Sequence, residues 1–155
     1  VALTFPLALS LGSTRRAFVL GTVLTHVALA LYVTVMLLVL LAVELATDHW
    51  FFGLYLTDVA ILGSGDPWKL ALASFLGSLF ALSVGGAFAA AWVLFGARGP
   101  SALAVVAVLA LGIAVIVLIP LAPAMQPWWA AVGAGIVVVL ALLGQYALLR
   151  RASVR

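Results

Sequence analysis

Four stretches of this chain are long and apolar enough to be solvated by hydrocarbon, and no other feature constrains its fold so tightly. A bilayer core about 30 Å thick takes roughly 20 helical residues at about 1.5 Å rise each. The stretches Ala17 to Val43, Leu70 to Phe95, Ser101 to Ile119 and Trp128 to Leu149 each run without Asp, Glu, Lys or Arg. β-Branched runs such as Val115–Ile119 and Ile136–Val139 would suggest strands in water. In lipid a lone strand leaves its backbone unsatisfied, so length decides for helices. Only 7% of the 155 residues are charged and 68% are hydrophobic. A soluble domain carries about a quarter charged residues, so this chain has no ordinary water-facing surface. The expected fold class is an all-α integral membrane protein, a polytopic bundle with four transmembrane helices in one transmembrane domain.

The charges orient it. If the chain crosses four times, Arg15, Arg16, Arg98, Arg150, Arg151 and Arg155 fall on one side. The connection 44–69 carries Glu44, Asp48, Asp58 and Asp66 against a single Lys69, and Pro120–Pro127 carries no charge. Every loop obeys the positive-inside rule with the N- and C-termini cytoplasmic. The net charge of +3 therefore reflects topology. It forms no basic patch, and no nucleic-acid partner is expected. The chain opens at Val1 without a basic n-region, so it reads as a segment of a longer polypeptide rather than as a signal peptide.

Within the outer connection, His49–Leu56 and Val59–Leu62 are apolar but too short to span. Trp50, Tyr55 and Trp68 are residue types that settle at headgroup level. This segment is expected to lie in the outer interface as one or two short helices, broken by Gly63, Gly65 and Pro67. Trp128 and Trp129 mark the same level on the fourth span.

Several residues invite a functional role. Ala73, Gly77, Ala81, Gly85 and Ala89 recur every fourth position, which leaves one helix face without large side chains. Such a row marks close helix–helix contact, either within one bundle or at a subunit interface. His26 is the one ionisable group deep in a span, about 15 Å along the helix from Arg16. It is either a neutral imidazole bonded to Thr22 or a neighbouring helix, or a proton-linked or substrate-contacting site. Glu44 and Asp48, one turn apart with His49 adjacent, are either ordinary boundary carboxylates or a weak cation site.

There is no cysteine, and no His-x-x-x-His pair, phosphate loop or Ser/His/Asp set has usable spacing. Ser74, Ser78 and Ser83 read as small packing residues. No catalytic, cofactor-binding or metal residue is assigned, and an enzyme is not expected.

The N-terminal stretch Phe5-Pro6-Leu7-Ala8-Leu9-Ser10-Leu11-Gly12-Ser13-Thr14-Arg15-Arg16 is apolar, breaks at Gly12, and then turns basic. Pro6 suits a helix start, and Ser13 or Thr14 can cap the next helix. Residues 1–16 thus read either as a plain loop with a topology-setting Arg pair or as a short inner-surface element leading into the first span.

The run FPLALSLGSTRRAFVLGT (Phe5–Thr22), then Glu44-Leu45-Ala46-Thr47-Asp48-His49-Trp50 and later Arg98-Gly99, resembles actinobacterial permease subunits of ABC-2 type ABC transporters. His49 departs from the pattern, where such permeases more often carry Gly before the Trp. The resemblance implies a six-span subunit of which this chain matches the last four, with two helices upstream. It implies that Phe5, Pro6, Arg15 and Arg16 contact a separate cytoplasmic nucleotide-binding subunit. ATP and Mg would then sit on that partner, and none is expected in this chain.

The expected function is the membrane-spanning permease subunit of an ATP-driven exporter, a homo- or heterodimer in the lipid bilayer of a bacterial plasma membrane. The alternative is a non-transporting structural or assembly subunit of a larger membrane complex.

Overall fold

The computed structural model describes residues 1, 3–118 and 128–151. Among them are five α-helices: α1 Thr4–Ser10, α2 Arg15–Ala46, α3 Pro67–Phe95, α4 Arg98–Leu118 and α5 Trp128–Arg151. Four of them, α2 to α5, are long and apolar enough to cross a membrane. They match the four expected spans, with the longest overrun in α2. The expected span end at Ile119, the uncharged connection Pro120–Pro127 and Arg155 lie outside the described residues.

Local chemistry sets the helix ends. α1 stops where Gly12 takes φ +85°, and the Ser13 N–H reaches back to the Ala8 carbonyl at 3.0 Å. Thr14 caps α2, its Oγ1 accepting from the Ala17 N–H at 3.2 Å. Asp66 caps α3, its Oδ1 accepting from the N–H groups of Trp68 (2.9 Å) and Lys69 (3.3 Å). Pro67 occupies the first helical position, where its missing N–H costs nothing. α3 ends at Gly96, φ +64°, and α4 begins two residues later.

The chain divides into two compact units, Val1–Val23 with Ser83–Arg155, and Leu24–Leu82. In the first, Phe5, Ala90 and Leu149 are buried together, with Leu9, Phe18, Val93 and Leu148 packed around them. That cluster gathers the start of α2 and the ends of α3 and α5 at one end of this unit. Gly99, at the base of α4, sits so close to α3 that a Cβ there would collide with the Ala91 carbonyl oxygen. Beyond that pinned base α4 is loose: none of its membrane-length window is buried.

In the second unit, Ala30, Thr34 and Leu41 of α2 and Leu70 and Ser74 of α3 are buried. The two helices touch where the Ser74 Oγ lies 3.3 Å from the Thr34 Oγ1. Elsewhere the spans turn large apolar side chains outward, including Leu24, Val108 and Ile116 at more than 60% exposure. An outward apolar surface of that kind belongs in lipid.

The connection after α2 departs from the expected interfacial helices. Asp48, His49, Trp50 and Phe51 all take φ between 50° and 61°, a left-handed turn rather than a helix lying flat. The only other helical piece is one 3₁₀ turn, Ala60–Leu62. Hydrogen bonds, and not an amphipathic face, organise this segment.

Candidate functional site

The N-terminal segment is built around one aromatic side chain. Phe5 is fully buried and meets the Phe18 ring edge-on, with centroids 5.1 Å apart. Arg15 is half-buried, and its guanidinium donates to the backbone carbonyls of Arg150 (2.7 Å) and Leu149 (3.4 Å). These are orphan acceptors at the C-terminal end of α5, where a cation is favoured by the helix dipole. The four expected coupling residues therefore separate. Phe5 and Arg15 fasten α1 and α2 to α5, Pro6 is half-buried, and only Arg16 is exposed.

The connection 44–66 is built around one carboxylate. Glu44 is fully buried at the end of α2. Its Oε1 accepts from the Leu56 N–H at 2.9 Å and, at the 3.5 Å limit, from the Asp58 N–H. Its Oε2 accepts from the Thr57 N–H at 2.8 Å and the Thr57 hydroxyl at 2.5 Å. Asp48, by contrast, is fully exposed. Of the two readings open for Glu44 and Asp48, boundary carboxylates or a weak cation site, the geometry shows Glu44 serving loop donors while Asp48 faces outward. Among the described residues no group of three or more His, Asp or Glu is placed to hold a metal.

His49 takes a different partner from the one its position suggests. Its Nε2 lies 3.1 Å from the Asp58 Oδ2, its Nδ1 3.6 Å from the Asp48 Oδ1, and its ring stacks at 4.1 Å on Tyr55. The hydrogen bond to Asp58, aided by Asp48, raises its pKa above the usual value near 6.5. Gly65 brings the chain past Asp58, leaving only 3.3 Å between a Cβ there and the carboxylate.

Inside the spans, each unit holds buried polar groups. In the Leu24–Leu82 unit, His26 is buried and its Nδ1 has no partner among the described residues. The expected bond to Thr22 is not made, since the Thr22 hydroxyl donates to the Phe18 carbonyl at 2.9 Å. In the other unit, Ser83 and Gln145 are fully buried, and neither the serine hydroxyl nor the glutamine amide has a partner among the described residues. Sequence reasoning passed over Gln145 and took Ser83 for packing. The available signal was a lone primary amide within an otherwise apolar span, which is costly unless used.

The small-residue row leaves its central members open among the described residues. Gly77, Ala81 and Gly85 are exposed, and a Cβ on either glycine would meet nothing within 4 Å. The buried face of α3 instead carries Leu70, Ser74, Ser83, Ala87 and Ala90.

Four membrane-length helices with apolar exteriors define the class as a multi-pass helical membrane protein. Comparison with family models, curated proteins and solved structures finds no match for this chain.

Proposed function

We propose that this chain is the membrane-spanning permease subunit of an ATP-driven exporter of ABC-2 type, worked by a separate cytoplasmic ATPase in a bacterial plasma membrane. The observation that carries the proposal is the docking of α1. Its Phe5 is locked against Phe18, Ala90 and Leu149, so a push on α1 reaches the bases of α2, α3 and α5 together. A loose inner-surface peptide could transmit no such load. The exposed Arg16 beside it offers a charge to an acidic partner surface. The positive-inside rule puts this end in the cytoplasm, where ATP is found.

The buried, unpartnered groups of Ser83 and Gln145 supply polar contacts for cargo if the helices of their unit part during transport. The resemblance of Phe5–Thr22 to such permeases points the same way.

The test separates coupling from folding. Arg16→Glu, at an exposed position, should leave insertion and monomer stability unchanged while abolishing stimulation of the copurified ATPase. Undiminished pull-down and stimulation would remove the coupling role. Arg15 is unsuitable for this test because it holds α5.

A second reading, a non-transporting assembly subunit, draws on the row Ala73–Gly77–Ala81–Gly85–Ala89, whose central members Gly77, Ala81 and Gly85 are exposed and suited to contact with another helix. On that reading Gly85→Leu should reduce oligomer size without changing insertion, and a neighbouring reading frame encoding a Walker A ATPase should be missing.

A further inference from the structure

The loose seating of α4 leaves a trough in the unit Val1–Val23 with Ser83–Arg155. Two cavities lie along it. One, of about 370 Å³, is walled by Ala91, Phe95, Ala102 and Val106 with Arg98 and Gly99 at the α4 base. The other, of about 250 Å³, is walled by Ala87, Phe88, Ala107, Val137 and Ala141. Leu103 and Leu148 line both, so the two adjoin.

Along α4 the trough runs from Arg98 to Ala107, about 14 Å at 1.5 Å per residue. The hydrocarbon of one leaflet is about 15 Å deep, half of the whole core. A helix is about 10–12 Å across, and over that length it would fill on the order of 1,000 Å³. The trough is too narrow for one but suits a single hydrocarbon chain.

Its chemistry is asymmetric. Arg98 is the single charged group lining it, is exposed, and its guanidinium has no partner among the described residues. An apolar slot one leaflet deep with a cation at its mouth is complementary to one kind of molecule. We propose that the trough binds an anionic phospholipid, one acyl chain lying between α3, α4 and α5 and the phosphate held by Arg98. Basic residues at the ends of spans attract anionic headgroups in the cytoplasmic leaflet. The guanidinium fork matches two phosphate oxygens, while a zwitterionic headgroup offsets much of that attraction. This inference needs the membrane but not the transporter reading.

The test counts lipids retained by the purified full chain, using native mass spectrometry from micelles doped with phosphatidylglycerol or phosphatidylcholine. The wild type should keep one phosphatidylglycerol in preference to phosphatidylcholine. Arg98→Gln, at an exposed position that does not threaten folding, should lower that preference about fivefold. Arg98→Lys should restore most of it. Leu103→Trp, which fills the slot at the wall shared by both cavities, should expel either lipid.

Equal retention of the two lipids by the wild type would overturn the proposal, as would a preference that Arg98→Gln leaves unmoved. A shift in oligomer size with Leu103→Trp, without lipid loss, would make a second copy of the chain the occupant and overturn it too.

Discussion

The segment 1–14 and the connection 44–66 are both short, irregular pieces attached to long apolar helices, yet opposite forces hold them. The first is fixed by burying one phenyl ring, helped by a basic side chain reaching backbone carbonyls. The second is fixed by a buried carboxylate that gathers the N–H groups of Leu56, Thr57 and Asp58 and the Thr57 hydroxyl. The difference follows from what each piece must satisfy. α1 makes its own backbone hydrogen bonds and only needs an apolar surface to rest on. The 44–66 connection is mostly non-helical, so its donors need an acceptor, and an ionised oxygen is the strongest available.

Glu44→Ala is the harshest test of that contrast. It should free the whole connection, and protease cleavage between residues 47 and 66 should accelerate about a hundredfold, since charge-assisted hydrogen bonds are lost together. If cleavage stays slow, the connection is held by something other than its carboxylate. Phe5→Ala should release α1 with a loss of about 3 kcal/mol, read as exposure of a cysteine placed at Leu9, and should leave the 44–66 connection untouched. Release of both segments by either variant would erase the distinction between them.

Arg15→Gln acts on the same end more gently. Removing a charge-assisted donor from the last carbonyls of α5 should cost about 2 kcal/mol, seen as faster hydrogen exchange in the final turn of that helix. Unchanged exchange there would leave Phe5 as the sole fastener.

The mildest effect is a pH dependence confined to the connection. The folded pKa of His49 is raised by Asp58 first and Asp48 second. The link therefore contributes fully below about 6.5, the unfolded value, and is lost as pH rises through the higher folded value. Trp50 fluorescence should report loosening of the turn on that alkaline side, and His49→Ala should flatten the profile. A profile that loosens on acidification instead would reverse the assigned pairing.

How much of this was legible beforehand varies by residue. The four spans were, because hydropathy over about 20 residues is a sum that no single neighbour can alter. Gly12, Thr14 and Pro67 were legible as helix ends, because capping is local chemistry. Other roles were not. Arg15 looked like a partner contact until its guanidinium was found on α5, 135 residues away in sequence. Glu44 looked like a boundary carboxylate or half of a cation site, and its twelve-residue reach to Leu56 depends on how the connection folds back. The Gly77 and Gly85 row was legible as a face of small residues, but such a row does not say whether its partner lies in the same chain.

Sequence by itself determined the all-helical class and the number of membrane-length helices. Each rests on composition summed over a window or on chemistry within one turn. The tertiary structure decided which polar groups are satisfied, which faces stay open, and that α4 stands off from α3 and α5 above Gly99. These depend on distances between helices, and in lipid those are set by side-chain shape at each crossing. Hydrophobicity does not set them, because it is nearly the same on every face.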